Sequence, residues 1–382
     1  MRKVLMVASV ASMIDLFNMN NIKILQDMGY SVEVACNFQE GSITSQERIN
    51  NFKEELESKN INYYDIPIPR SIAKIKKITE SYLKLKTIIN DNKYELIHCH
   101  SPIGSVISRI CAIRYRKKGL KVIYTAHGFH FYKGASIEKW LIYYPIEKIL
   151  SYFTDCIITI NQEDYNFSQN KMNAQNVAYI PGIGIDVKKI WSYSIPNRDE
   201  KFTLISVGQL SQRKNHQVVI ESIALLKERL NIDNIQYLIC GLGELDSELK
   251  MLVKNLGISQ NVVFLGFQEN VIDYLKSADC FIFPSLQEGL PVSLMEAMAV
   301  PLPVICSKIR GNVDLIDNNK GGILVQPNDI KSISEAIEYM YVNDNIREEF
   351  RKYNFEKINL FDTSIVNKKM FELYSSILKE RY

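Results

Sequence analysis

Short apolar runs alternate with amphipathic stretches along this chain, and the alternation starts a second time after a polar break. The runs Lys3 to Ala8, Val32 to Cys36, Leu96 to His100, Val122 to His127 and Cys156 to Asn161 are read as parallel strands. Helical patterns lie near Met19 to Met28, Ile72 to Asn90, Ile103 to Lys117 and Ile137 to Ser151. The alternation predicts a doubly wound α/β sheet. After Ile180-Pro-Gly-Ile-Gly-Ile-Asp186 the segment Val187 to Lys201 is polar and weakly patterned, so residues 187–201 are read as a linker. The pattern then resumes in Phe202 to Val207, Gln236 to Cys240, Val262 to Leu265, Cys280 to Phe283, Val304 to Cys306 and Gly322 to Val325. A chain of 382 residues exceeds one ordinary core, at roughly 150 residues per domain. Two α/β domains are expected, residues 1–186 and 202–363, alike in architecture and without a sequence repeat.

The run Phe281-Ile-Phe-Pro-Ser-Leu-Gln-Glu288-Gly-Leu-Pro-Val-Ser-Leu-Met-Glu296 carries the chemistry. Phe281 to Phe283 read as a buried strand, Pro284 to Gly289 as the loop at its carboxyl end, and Pro291 as the first residue of a helix. Ligands of open α/β sheets bind at that edge. The free amides of Leu290, Val292 and Ser293, beside Gly289 and with the helix dipole, suit a diphosphate. Glu288 in the loop is expected to be free to face a sugar, and Glu296, in the helix, to accept from the vicinal hydroxyls of a ribose.

Other strand ends open on the same edge. In Ser206-Val-Gly208-Gln209-Leu-Ser-Gln-Arg213-Lys214-Asn-His216, Lys214 and Arg213 are candidates to neutralise a diphosphate. Gly241-Leu-Gly243 is a tight turn through which backbone could approach a ligand, and Phe267 ends the next strand. In the first half, His127 stands at a strand end beside a glycine. His98 and His100 share one face of a strand, and His100 with Ser101 and Pro102 ends it at the site edge.

Together these motifs resemble the family-4 glycosyltransferases of the GT-B fold, in which two Rossmann-like domains face a cleft. The tract Tyr94 to Asp186, with Ile97-His-Cys-His and Thr125-Ala-His-Gly-Phe-His-Phe-Tyr-Lys-Gly, is most similar to the bacterial exopolysaccharide and capsule branch. The resemblance implies that residues 1–186 are the acceptor side and 202–363 the donor-nucleotide side, and that a helix from 364–382 crosses back to the first domain. It implies that Glu288 contacts the transferred sugar, Glu296 the donor ribose, Lys214 the phosphates, His127 the donor sugar and Phe267's region the nucleobase. Gln209 stands where many relatives carry Arg. The loop Ala8 to Asp15, which includes Ser12, resembles the acceptor loop but lacks its glycine pair.

Charge is distributed unevenly. Residues 1–190 hold 25 Lys and Arg against 18 Asp and Glu, and the rest 21 against 25. Between Ile66 and Lys121, thirteen bases meet only Glu80, Asp91 and Glu95, which makes this tract either a solvated face or a contact for an anionic membrane surface. No nucleic-acid motif accompanies it, so nucleic acid is not an expected partner. No apolar stretch reaches the roughly 20 residues of a membrane span, and Asp15 and Asn18 interrupt any signal-like region at the start. Seven cysteines without CxxC spacing read as reduced packing residues. No metal constellation and no cofactor is expected. The expectation is a cytoplasmic enzyme, peripheral on the inner face of the plasma membrane. It would be a retaining glycosyltransferase moving a sugar from a nucleotide-sugar donor, expected to be a UDP-sugar, to a polyprenyl-diphosphate-linked saccharide. A sugar-nucleotide epimerase of the same shape and a non-catalytic sugar-nucleotide-binding subunit are the alternatives.

Overall fold

The apolar runs of the first half become central strands of one parallel sheet: β1 (Lys3–Val10), β2 (Ser31–Asn37), β4 (Tyr94–His100), β5 (Lys121–Ala126) and β6 (Cys156–Thr159). Two further strands, β3 (Tyr63–Asp65) and β7 (Asn176–Tyr179), close its edges in the order β3-β2-β1-β4-β5-β6-β7. These edge strands lack the apolar run by which a buried strand announces itself, because they are short and half-exposed. The second half forms β8 (Phe202–Val207), β9 (Ile235–Cys240), β10 (Val262–Gly266), β11 (Cys280–Phe283), β12 (Val304–Ser307) and β13 (Gly322–Val325), ordered β10-β9-β8-β11-β12-β13. The computed structural model describes residues 2–42, 44–192, 201–230 and 233–379.

Both sheets reverse their strand order once, between β1 and β4 and between β8 and β11. The loops leaving the carboxyl ends of those two pairs diverge to opposite faces and leave a crevice, so the topology alone selects where a ligand can sit in each unit.

The chain forms two compact units, Met1–Ile183 with Ser364–Tyr382, and Gly184–Thr363. The helix Thr363–Leu378 contributes Val366, Met370, Tyr374 and Ile377 to the core of the first unit, among Ile14, Ile22 and Ile158. Each such burial stabilises by about 1.5–3 kcal/mol. The segment read as a linker starts instead as a helix, Val187–Ser192. Val187 and Ile190 are buried, and Trp191 donates to the Ala299 carbonyl at 3.1 Å and packs its ring on Phe355. Residues 193–200 of that segment lie outside the described residues.

The basic tract proves less free than its composition suggests, because acids from outside it fold against it. Lys74 and Lys77 pair with Glu40, Arg116 and Lys121 with Asp155, and Arg109 with Glu147 in the interior. Lys84 pairs with Glu80 one helical turn away. All seven cysteines are free and buried, and burial pushes the thiols up, Cys111 and Cys156 to about 12.

Candidate active site

In the second unit, the β8 and β11 loops are sewn together before any side chain is considered. Leu286 N–H donates to the Arg213 carbonyl at 2.8 Å, and Asn215, in a left-handed conformation at φ 57°, donates to the carbonyls of Pro284 and Pro327. That turn aims Lys214 at Glu288, whose Oε1 accepts from Lys214 Nζ at 2.7 Å and from Arg213 Nη1 at 2.9 Å. Lys214 also lies over the Phe283 ring, 4.5 Å from its centre. Burial pulls the Lys214 ammonium down, and the Glu288 carboxylate opposes the shift. Glu288 is therefore not the free loop acid the spacing suggested. It is buried and held by both cations, because a carboxylate placed in this crevice needs a counter-charge. Arg310, from the loop after β12, donates from Nε to the Glu288 carbonyl at 3.2 Å. Sequence reasoning missed Arg310, although its place at the carboxyl end of the strand next to β11 was available as a signal.

The helix after this loop spans Val292–Ala299, and Pro291 is its cap rather than its first residue. Proline has no side-chain acceptor, so the amides of Val292 and Ser293 begin the helix without a cap bond from it. Gly289 is held against Gly311, which has φ 81° and where a Cβ would stand 2.3 Å from the Gly289 oxygen. Leu290 is buried. Glu296 is half-buried on this helix, and loss of solvation raises its carboxyl to about 7.

Gly208, Gly241 and Gly243 lie where neighbouring loops of the second unit meet. Gly208 N–H donates to the Cys240 carbonyl, and a Cβ on Gly241 would lie 1.9 Å from the Gly208 oxygen. The glycines let one loop lie on the next, so close approach of backbone to backbone accounts for them. Phe267, just past β10, is exposed.

In the first unit three histidines form a column. His100 Nδ1 lies 3.1 Å from His127 Nε2, and the rings of His98 and His100 are 4.2 Å apart. His98 is held by Tyr374 at 2.7 Å and Thr125 at 2.8 Å. Burial lowers all three, His98 to about 3 and His127 to about 4, so the column is neutral near pH 7. His127 lies one residue beyond β5 and remains half-buried. His100, expected to meet the acceptor, is fully buried beneath His127, because its strand parity turns it into the core with His98. Ser12 is buried too, yet it lines a cavity of about 420 Å³ with Ser9, Arg70, His127, His130 and Tyr143. Another cavity of this unit, about 820 Å³, lies around Tyr94 and Lys121 at the amino ends of β4 and β5, away from the switch point. Among the described residues no group of three or more His, Cys, Asp or Glu is placed to hold a metal ion.

The chain aligns over 99% of its length with a protein of Bacillus subtilis (strain 168) named "Putative glycosyltransferase EpsD", at 31% identity over 388 residues and 97% of that protein. The family description "Glycosyl transferases group 1" matches residues 187–357, and "Glycosyl transferase 4-like" matches residues 3–161. The chain is a group 1, family-4-like glycosyltransferase. A second relative, the Escherichia coli UDP-Gal:alpha-D-GlcNAc-diphosphoundecaprenol alpha-1,3-galactosyltransferase, is 29% identical over 70% of this chain and 71% of its own. Among solved structures, Anabaena Alr3699/HepE in complex with UDP matches with a TM-score of 0.77 at 18% identity, over 98% of this chain and 100% of that one. A glycosyltransferase from Rickettsia africae matches with a TM-score of 0.75 at 17% identity, over 100% and 99%. The glycosyltransferase thus has the GT-B fold, with one Rossmann-like sheet in each unit.

Proposed function

We propose that this glycosyltransferase moves a sugar from a UDP-sugar to a polyprenyl-diphosphate-linked saccharide in cell-surface polysaccharide synthesis, with retention of anomeric configuration. The observation that carries the donor half is the buried Lys214–Glu288 pair beside the uncapped start of the helix Val292–Ala299. A diphosphate arriving there meets the amides of Val292 and Ser293 and two cations already in place. It competes with Glu288 for Lys214 and Arg213, so donor binding loosens the carboxylate at the moment a sugar comes beside it. Glu288 then stabilises oxocarbenium charge as the sugar–phosphate bond lengthens, and Lys214 and Arg213 stabilise the departing diphosphate. Glu296 accepts the ribose hydroxyls, and Phe267's strand end borders the nucleobase. His127, a neutral imidazole just past β5, is proposed as a sugar ligand.

The acceptor half is supported by relatives named as acting on diphosphoundecaprenol-linked sugars, in Escherichia coli and in Campylobacter jejuni. UDP as donor nucleotide is supported by the ligand in the Anabaena structure. Ser12 and the cavity beside it are the proposed acceptor site. The proposed mechanism needs no metal, because fixed cations and amides do the work of neutralising the diphosphate. No helix of the described residues is long and apolar enough to cross a membrane, and the enzyme is proposed to act as a peripheral protein at the inner face of the plasma membrane. The test is mass spectrometry of products from a panel of nucleotide-sugars with membrane lipid extract. A glycolipid enlarged by one sugar is expected, whereas a changed sugar-nucleotide formed from donor alone would replace transfer with epimerisation.

A further inference from the structure

The helix Ile137–Ser151 is apolar on the side it buries and on the side it does not. Its inner face is committed: Glu147 lies 2.8 Å from the buried Arg109, and Trp140 and Tyr144 pack with Phe131 and Phe167. Its outer face carries Ile137 at 74% exposure, Leu141 at 71%, Ile149 at 60% and, one residue past its end, Tyr152 at 63%. Pro145 is exposed between them, so the spacing runs four, four, four and three residues and the side chains fall in one stripe along the helix. Packing of the first unit does not require this stripe, and a soluble surface is expected to avoid it.

We propose that this stripe docks the enzyme on an anionic bilayer, lying in the headgroup boundary and not across the membrane. The proposal rests on the lipid-linked acceptor proposed above. Charge favours a bilayer over an apolar partner: the exposed Lys133 and the half-buried Lys139 border the stripe, and Arg114 is exposed on the neighbouring helix one turn beyond the exposed Ile110. Position favours it too. Tyr143 on this helix stacks on His130 at 4.5 Å, and both line the cavity that contains His127 and Ser12. The stripe therefore runs beside the place where a lipid-linked saccharide would be presented. Depth follows from Pro145, which cannot donate to the Leu141 carbonyl. That oxygen needs water, available among headgroups and absent from the hydrocarbon.

Because all seven native cysteines are buried, Ile149→Cys can be labelled selectively with an environment-sensitive dye, with Met251→Cys in the second unit as the control. Mixed phosphatidylglycerol and phosphatidylcholine vesicles should blue-shift the dye at 149 and leave the dye at 251 unchanged. Leu141→Ser with Ile149→Ser should cut the vesicle-bound fraction of the full chain at least about tenfold, since two buried aliphatic groups are lost. No shift with vesicles of any composition would overturn the proposal. So would vesicle binding that survives the double serine variant, which would leave the contact to basic residues alone. A blue shift without lipid that grows with protein concentration, together with a larger mass in solution, would assign the stripe to a second copy of the chain and also overturn it. Transfer to a short, water-soluble diphosphate-linked acceptor is measured in parallel. Transfer without the dye shift ends the docking proposal alone, and a dye shift without transfer to any lipid-linked acceptor ends the acceptor reading alone.

Discussion

Lys214 Nζ stands 2.7 Å from Glu288 Oε1, and the two side chains come from loops 74 residues apart. The pair gives the two substitutions different signatures. Glu288→Gln should lower turnover at least about a hundredfold while the fold persists, the scale for losing one oriented group at a reacting centre. Near-normal turnover would remove Glu288 from that centre. The same change withdraws the charge that opposes Lys214's downward shift. A lysine is cationic below its pKa, so nucleotide binding by Glu288→Gln should fail at a lower alkaline pH than binding by the wild type, as read by calorimetry across a pH series.

Lys214→Ala should weaken nucleotide-diphosphate affinity by about 1.5–3 kcal/mol and nucleoside affinity little, since it removes a charge-assisted contact to phosphate. Equal losses for both ligands would make Lys214 a support of the loop and not a phosphate ligand.

Glu296, whose carboxyl loss of solvation raises to about 7, is expected to set the acid limb of the pH profile. Below that pH its carboxyl is protonated and a poorer acceptor for ribose hydroxyls, so kcat/KM should rise as pH increases through about 7 and the free enzyme should release protons on binding donor. Glu296→Gln should flatten that limb. A raised carboxyl favours the fold at low pH and stops doing so as it ionises, so the glutamine variant should be no less stable than the wild type at pH 8. Calorimetry in buffers of different ionisation enthalpy reads the proton release, and an unchanged limb in the variant would exclude Glu296.

The His100–His127 contact fixes a tautomer. His100 Nε2 faces the Met6 sulfur at 3.2 Å, and a thioether can only accept, so His100 carries its proton there. Its Nδ1 then accepts from His127 Nε2–H, leaving His127 Nδ1 as a lone pair for a sugar hydroxyl. With five histidines in the chain, nitrogen-15 labelling of histidine should find His127 neutral and protonated at Nε2 from pH 5.5 upward, and His100→Leu should give mixed tautomers. A protonated or Nδ1–H form in the wild type would contradict the arrangement.

Transfer should persist in excess EDTA, because the proposed diphosphate contacts are amides and fixed cations. Activity abolished by chelator and restored by Mg²⁺ or Mn²⁺ would require a different account of the leaving group.

The central strands were legible because burial on both faces leaves an uninterrupted apolar run, as in Phe281 to Phe283. The edges β3 and β7 were not, since half-exposed residues such as Tyr63 and Asn176 carry no such run. At the site, spacing marked Glu288, Lys214 and His127 as strand-end residues, but it could not show that Glu288 is already paired or that His100 lies under His127. Those facts depend on loops and strands meeting in space. Tyr374, which reaches His98 across 276 residues, had no local signal.

The return of the helix Thr363–Leu378 to the first core makes the second unit an insertion within the first. During synthesis the residues 184–363 emerge complete, while the first unit still lacks Val366, Met370, Tyr374 and Ile377. Maturation therefore runs out of chain order: the second unit can close as a nascent domain on the ribosome, and the first unit, translated first, must wait with an open hydrophobic seam for the helix Thr363–Leu378. A transcript cut short before that helix would yield a chain whose second unit is intact and whose first is a chaperone client.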